Sequence, residues 1–345
     1  MRATILHAAR DVRLENVDDP TIVKPTDAII RLAAACVCGS DLWPYRGADP
    51  VERPTPMGHE YVGIVEEVGT AVTSVKPGQF VVGSFFASDN TCPNCRNGFQ
   101  TSCQHFEQIG GAQAELMRVP LADGTLVATD GTLVATDGIP DDTYVPSLLT
   151  ASDVLGTGWW AAVAAGVTSG DTVAVVGDGT VGLLSVLSAK QLGADRIIAM
   201  SRHEPRQALA REFGATDIVT ERGDEGVARI KDITDGIGAD AVLECVGTSE
   251  AMSQALRSTR PGGGVGVVGV PHGVAIDGQE LFFSHVRIQG GPAPVRRFLP
   301  DLIDRILTGA IDPGKVFDLT LPLEQVAYGY AAMDERRAIK TLLRP

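Results

Sequence analysis

The sequence has no apolar run of about 18 residues, the length a helix needs to cross a bilayer. No membrane-spanning segment is therefore expected. Its start, Met1 to His7, has no long apolar stretch, so no signal peptide is expected and the cytoplasm is the expected location. Basic charge is scarce: 29 Lys and Arg stand against 43 Asp and Glu, a formal charge of −14. Such a surface repels phosphate backbones, so nucleic acid is not an expected partner. Cysteine is scarce too, and six in 345 residues cannot staple a chain this long. In a reducing compartment a cluster of them points to metal rather than to disulfides. What is present is ordinary globular composition, 44% hydrophobic and 21% charged, which excludes a largely disordered chain. The length suits about two domains.

The first 120 residues read as short strands broken by turns: Ala28–Ala33, Tyr61–Val68 and Phe80–Val82, with turn signals at Gly69-Thr70 and Lys76-Pro77-Gly78. That pattern predicts a barrel or sandwich. From about residue 150 the rhythm becomes α/β. Thr172–Val176, Arg196–Met200, Asp217–Val219, Ala241–Leu243 and Val265–Val268 read as buried strands. Helices separate them, one over Val181–Leu192 ending at Gly193 and one opening at Pro205 and closing at Gly214. This predicts a doubly wound parallel sheet. Two helical stretches, Leu299–Leu307 and Leu323–Met333, and a strand, Ile339–Leu343, complete the chain. Gly124–Asp130 reads GTLVATD and Gly131–Asp137 repeats it letter for letter. A single tandem copy is no solenoid and is expected to add a surface hairpin or loop.

Gly177-Asp178-Gly179-Thr180-Val181-Gly182 matches GxGxxG between an apolar strand and an amphipathic helix, the context of a dinucleotide site. The first glycine permits the turn, the second lets backbone approach a pyrophosphate, and the third permits close packing. The helix start, Thr180 and Val181, offers free N–H groups to phosphate. About 20 residues on, where an acid would bind a ribose 2′-OH, stand Ser201 and Arg202. A hydroxyl and a guanidinium suit a 2′-phosphate, so NADP(H) is expected over NAD(H).

Cys38 follows the first strand, His59-Glu60 precede the second, and Asp153 precedes Thr157. A thiolate, an imidazole and a carboxylate can hold zinc with a fourth position open, as in catalytic sites. Singly, His59 reads as a satisfied structural histidine and Asp153 as a helix N-cap. Cys92, Cys95 and Cys103 form a second cluster.

Together these residues resemble the zinc-dependent medium-chain alcohol dehydrogenases over nearly the whole chain. The resemblance is carried by Cys38-Gly-Ser-Asp41, Gly58-His-Glu60-x2-Gly63, Asp153-x3-Thr157-Gly158, the glycine motif and Val268-Gly269-Val270-Pro271. It implies a GroES-like β-barrel catalytic domain over 1–152 and 292–345, and a Rossmann domain over 153–291. It implies catalytic Zn2+ at Cys38, His59 and Asp153 (many members have a second cysteine where Asp153 stands), with Glu60 behind the metal. Val246 and Val270 are implied in cofactor binding.

Ser40 is implied as the proton acceptor for the alcohol. The histidine that continues the relay in many members is replaced by Trp43. Thr157, Phe85 and Trp159, with Trp43, are implied around the substrate. The family's second zinc lobe has four cysteines, and Asp89 takes the place of one, giving Asp89, Cys92, Cys95 and Cys103, with His105 as a substitute ligand. The implied activity is hydride transfer between an alcohol, or its aldehyde or ketone, and NADP(H). A polyol or sugar dehydrogenase and an NAD-preferring enzyme are the alternatives. A zinc-free quinone reductase would not need the three ligands, and a non-catalytic nucleotide-binding protein would not need Ser40. A homodimer or homotetramer is expected, with Val265–Val270 and Leu281–Phe283 as an apolar contact edge.

Overall fold

Long apolar runs set the centre of the first sheet. Ala28–Cys36 and Tyr61–Val68 pair antiparallel, with Ala35 opposite Tyr61. The computed structural model describes residues 1–129 and 139–345. These part into two compact units, Met1–Gly156 with Pro294–Pro345, and Thr157–Ala293. In the first, the strands run in the order Leu126–Ala128, Phe80–Gly83, Tyr61–Val68, Ala28–Cys36, Thr341–Arg344 and Leu319–Pro322, with Leu116–Val119 also on Ala28–Cys36. A smaller sheet joins Asp11–Asn16, Arg2–Ala8 and Thr55–Pro56. Ile30, Leu32, Tyr61, Val65, Val81 and Leu126 fill the core between turns.

The second unit is a six-stranded parallel sheet. Its order is Asp217–Val219, Arg196–Met200, Thr172–Val176, Ala239–Glu244, Thr259–Val267 and Arg287–Gly290. That is the 3-2-1-4-5-6 order of a dinucleotide-binding fold, which opens a crevice at the carboxyl ends of the central strands. The helix Thr180–Gln191 leaves the strand Thr172–Val176 through the glycine loop.

Two elements differ from the sequence reading. The strand expected from Val265 begins at Thr259: Gly262 takes a positive φ at a bulge, and Gly263 and Gly264, which resemble a turn, serve close packing. A Cβ at Gly264 or Gly266 would sit 2.1 or 2.0 Å from the carbonyl oxygens of Ala165 and Ala161. The helix expected from Leu299 begins at Val295 and runs through Pro300, whose ring removes one backbone bond without ending it. Of the expected contact stretch, Val265 is fully buried in an interior strand whereas Val270 is exposed. The first GTLVATD copy supplies the last two residues of the helical turn Ala122–Thr125 and the strand Leu126–Ala128 on Phe80–Gly83. The expected hairpin or loop of the second copy, Gly131–Asp137, lies outside the described residues. No described helix is long and apolar enough to cross a membrane.

Candidate active site

The register of two strands gathers the first cluster. With Ala35 opposite Tyr61, the segment leaving the first strand (Cys36, Val37, Cys38) and the one entering the second (His59, Glu60) emerge at the same end of the sheet. Asp153 follows the buried helix Val145–Ala151, which packs on both strands. Ligand atoms of Cys38, His59, Glu60 and Asp153 all lie within 4.8 Å of one another. His59 Nε2 is 3.2 Å from Asp153 Oδ2. Ligands 2.0–2.3 Å from one tetrahedral centre lie about 3.3–3.8 Å apart. The donor set, one sulfur, one imidazole and carboxylate oxygen, is what zinc takes.

The electrostatics of this cluster favour a cation. Burial works against a charged His59, yet Asp41, Cys38 and Asp153 outweigh it and hold the imidazole well above its ordinary value. Burial, and then Glu60, pushes the Cys38 thiol up against the opposing pull of Lys340 and His59, so a further cation beside it favours the thiolate a metal needs.

A second layer that the sequence reading missed holds these groups. Asp41 Oδ1 lies 3.4 Å from His59 Nδ1, leaving Nε2 toward the cluster. Asp41 Oδ2 accepts from the Cys38 N–H at 2.9 Å and from Gln113 Nε2 at 3.3 Å. Gln113 also donates to the Cys36 carbonyl, and Tyr330 O–H donates to Gln113. Such partners fix the orientation of metal-ligating groups. Only Asp41 left a trace in the sequence, as the last residue of Cys38-Gly-Ser-Asp41. Lys340 was unreadable there: its Nζ lies 2.7 Å from Glu60 Oε1, with both side chains buried.

Of the other expected residues, Phe85 lies beside the cluster, its ring 6.2 Å from that of His59. Ser40 is exposed on the turn after Cys38, and Trp43 is half-buried in the short helix that follows. Thr157 and Trp159 are buried in the helix Val154–Ala165 that Asp153 precedes, on the second unit's side of the division.

The second cluster closes around Asp89, Cys92, Cys95 and Cys103, all buried or half-buried. Its sulfurs are 3.5 and 3.9 Å apart, close to the spacing of thiolates on one tetrahedral ion. Backbone N–H groups of Asp89 and His105 donate to Cys103 Sγ. Bonds from the Gln104 and Cys95 backbone bring the Cys92 thiol down to about 7. His105 is not in the cluster. It stands behind Asp89, its Nδ1 2.6 Å from Oδ2. Burial is overcome there, and His105 with the N–H groups of Thr91 and Cys92 holds the Asp89 carboxyl below the usual range.

In the second unit the glycine loop fits a pyrophosphate. Gly177 has φ +118°, and a Cβ at Gly182 would lie 2.0 Å from the Gly177 carbonyl oxygen. A Cβ at Gly179 would meet nothing within 4 Å, the open space that a close backbone approach requires. The helix it opens has no side-chain cap and no acid in its first turn. Val246 and Val270 lie at the same end of the sheet: a Cβ on Gly177 would touch Val246, and Val270 is exposed. Ser201 donates to Asp178 Oδ2 at 2.8 Å. Arg206, missed in the sequence, donates to the Asp178 carbonyl at 3.0 Å. Arg202 is exposed and donates to the Thr220 carbonyl.

Known proteins share this arrangement. The pattern of the alcohol dehydrogenase GroES-like domain matches residues 24–129, and that of the zinc-binding dehydrogenases matches 180–307. A Mycobacterium tuberculosis protein described as a probable zinc-binding alcohol dehydrogenase is 35% identical over 100% of this chain and 89% of its own. The chain belongs to the zinc-type alcohol dehydrogenases. As a member of that family it is an oxidoreductase, built from a GroES-like domain and a Rossmann sheet. The alcohol dehydrogenase TADH from Thermus sp. ATN1 has the same fold, with a TM-score of 0.89 and 32% identity over 100% of this chain and 99% of that one. A zinc-binding dehydrogenase structure from Sinorhizobium meliloti, bound to NADP, matches with a TM-score of 0.82 and 27% identity over 100% and 99% of the two chains.

Proposed function

We propose that this enzyme transfers hydride between a small apolar alcohol, or its aldehyde or ketone, and NADP(H), with zinc held by Cys38, His59 and Asp153. The convergence of those three side chains, from three distant parts of the chain, carries the reading. A zinc ion in that place supplies Lewis acidity, which lowers the pKa of an oxygen at its open position. The residues do the rest. Asp41 fixes the tautomer and tilt of His59, so that Nε2 is the free donor. Glu60, buried beside the three ligands and paired with Lys340, keeps a carboxylate at the site without solvent. Ser40 takes the proton the alcohol loses, and its exposure on the turn gives that proton a way out. Phe85 supplies an apolar wall, which favours a modest apolar substrate over a hydrated polyol. The glycine loop would hold the pyrophosphate of a dinucleotide, whose nicotinamide would supply the hydride chemistry.

The preference for NADP(H) rests on the residues after Met200. No acid stands at 201–203, Ser201 and Arg206 both reach Asp178, and the exposed Arg202 donates to the Thr220 carbonyl. Asp178, in the glycine loop, is already engaged by Ser201 and Arg206. A panel of primary and secondary alcohols, polyols and aldehydes, followed through reduced-nicotinamide absorbance with both cofactors, tests both parts. Greater kcat/KM for polyols would favour the polyol alternative, and greater kcat/KM with NAD would reverse the cofactor assignment. Arg202→Ala is expected to lower kcat/KM for NADP roughly tenfold or more while changing that for NAD little, because a guanidinium pairs with phosphate and not with a hydroxyl.

We also propose a second zinc in the cysteine lobe, with Asp89 as fourth ligand and His105 orienting it. Metal analysis is expected to give close to two zinc ions per chain, and Asp89→Ala close to one. A value of one in the unmodified protein would refute the assignment.

Assembly as a dimer or tetramer is supported by a patch in the second unit. Phe282 and Phe283 are 75% and 74% exposed, beside the edge strand Arg287–Gly290.

A further inference from the structure

One cavity of the first unit lies away from the dinucleotide loop and the Cys38 cluster, and meets the cysteine lobe at a single residue, Cys95. It measures about 340 Å³, within the range that small-molecule sites occupy. Three arginines, Arg96, Arg296 and Arg297, line it, with Asn90, Asn97 and Gln100 between them. We propose that this cavity binds a small phosphate-bearing anion, gripped by Arg96, Arg296 and Arg297.

The first support is missing countercharge. This chain carries 43 acids against 29 bases, and its less exposed arginines elsewhere find carboxylates, as Arg118 does with Asp27 and Arg206 with Asp178. Around this cavity three guanidinium groups converge, and none of them hydrogen-bonds to or pairs with an acid among the described residues.

The second support is Arg296 itself. Its Nε is buried with no partner, a state that costs free energy unless a ligand or neighbour relieves it. Burial alone lowers its basicity, whereas Arg2, Arg13 and Arg337 are all raised by carboxylate partners.

The third is the local backbone. The 13-residue helix Val295–Leu307 starts here, so Arg296 and Arg297 are in its first turn, with no side-chain cap and no acid in that turn. Its partial positive charge adds to theirs. Gly98 has φ +88°, and a Cβ there would lie 2.9 Å from Arg297 Nη1, so the glycine leaves the room this guanidinium occupies. Arg297 is further steadied over the Phe298 ring at 5.3 Å.

Planar guanidinium forks match phosphate oxygens in pairs, and the neutral amides provide a polar rim that carries no repelling charge. The volume leaves space for an organic portion beyond the phosphate.

Isothermal titration of inorganic phosphate and of glycerol 2-phosphate into zinc-loaded enzyme saturated with NADPH tests this, because the glycine loop is then already filled. The expected result is 1:1 binding, weakened about tenfold or more in Arg96→Gln/Arg297→Gln, with the zinc content of the unmodified enzyme. Tighter binding of glycerol 2-phosphate identifies an organic phosphate as the ligand, and tighter binding of phosphate the free ion. Binding by neither, or equal binding in the double variant, overturns the proposal. So does loss of a zinc from the double variant, which would assign the arginines to balancing the cysteine lobe's negative charge. Arg96→Gln alone, a change at an exposed side chain, gives the same comparison if the double variant does not fold.

Discussion

Cys38→Ala is expected to lower turnover by about four orders of magnitude and to remove one zinc per chain. Zinc can move the pKa of a bound water from 15.7 to about 7. At roughly 1.4 kcal/mol per tenfold in rate, losing even half of that effect exceeds a 10⁴-fold change. The substitution leaves His59 and two carboxylates facing a buried space whose only soft ligand is gone, and an imidazole with carboxylates alone is a poorer zinc site than one with thiolate. Cys36→Ala provides the control. Cys36 is also fully buried, and burial pushes its thiol up, but its sulfur is outside the cluster. That variant should keep both metal and turnover. Zinc content by mass spectrometry and initial rates with a good alcohol substrate decide the matter. A Cys38→Ala enzyme that retains its zinc and works within tenfold of the unmodified rate would remove Cys38 from the metal.

How much of this could be read without coordinates depended on the distance over which each residue acts. The buried strand Thr172–Val176, the glycine loop and the helix after it are local signals: an apolar run, a turn chemistry and a helical period, all within 20 residues, and they appear at those positions. Gly193 and Gly214, each just past a helix, take the positive φ that ends one. Tyr61–Val68 was legible for the same reason. Elements whose form depends on a distant neighbour were misread. The first part of the strand Thr259–Val267 looked like a turn because the need for its glycines comes from the helix Val154–Ala165. Pro300 masked the first turn of its helix, since proline usually stops one.

At the candidate site, Cys38, His59 and Asp153 were legible as residue types with a shared chemistry, and strand register brings them together. The supporting layer was not. Gln113 and Tyr330 are ordinary residues in the sequence, and nothing local distinguishes a glutamine that bridges Asp41 and the Cys36 carbonyl. Arg206 escaped because the cofactor signal is sought at the strand end, whereas Arg206 reaches Asp178 from the next helix. Residue type alone makes His105 a substitute ligand, and only geometry shows it backing Asp89.

Lys340→Met is expected to destabilise the first unit by about 3–5 kcal/mol, the usual cost of stripping one partner from a buried ion pair. Lys340 lies 280 residues from Glu60 in sequence, and the pairing of Leu342 with Cys36 delivers it there. Its ammonium donates to Glu60 Oε1 at 2.7 Å and to the Val37 carbonyl at 3.3 Å. Burial disfavours the charged lysine, but Cys36, Glu60 and Cys38 outweigh it and hold its pKa well above the ordinary value. The ammonium therefore stays charged across the neutral range. Glu60 Oε2 has no hydrogen-bond partner among the described residues, so Lys340 is that carboxylate's main partner within the protein. Methionine keeps the aliphatic length and removes only the charge and its donors. The double variant Lys340→Met/Glu60→Gln should recover a large part of the loss, because no uncompensated charge remains. Urea unfolding of the zinc-loaded enzyme, followed by a probe in the first unit, measures both. A single variant as stable as the unmodified protein would mean that the pair contributes nothing beyond packing. Equal losses in the single and double variants would mean that the cost is the cavity and not the stranded charge.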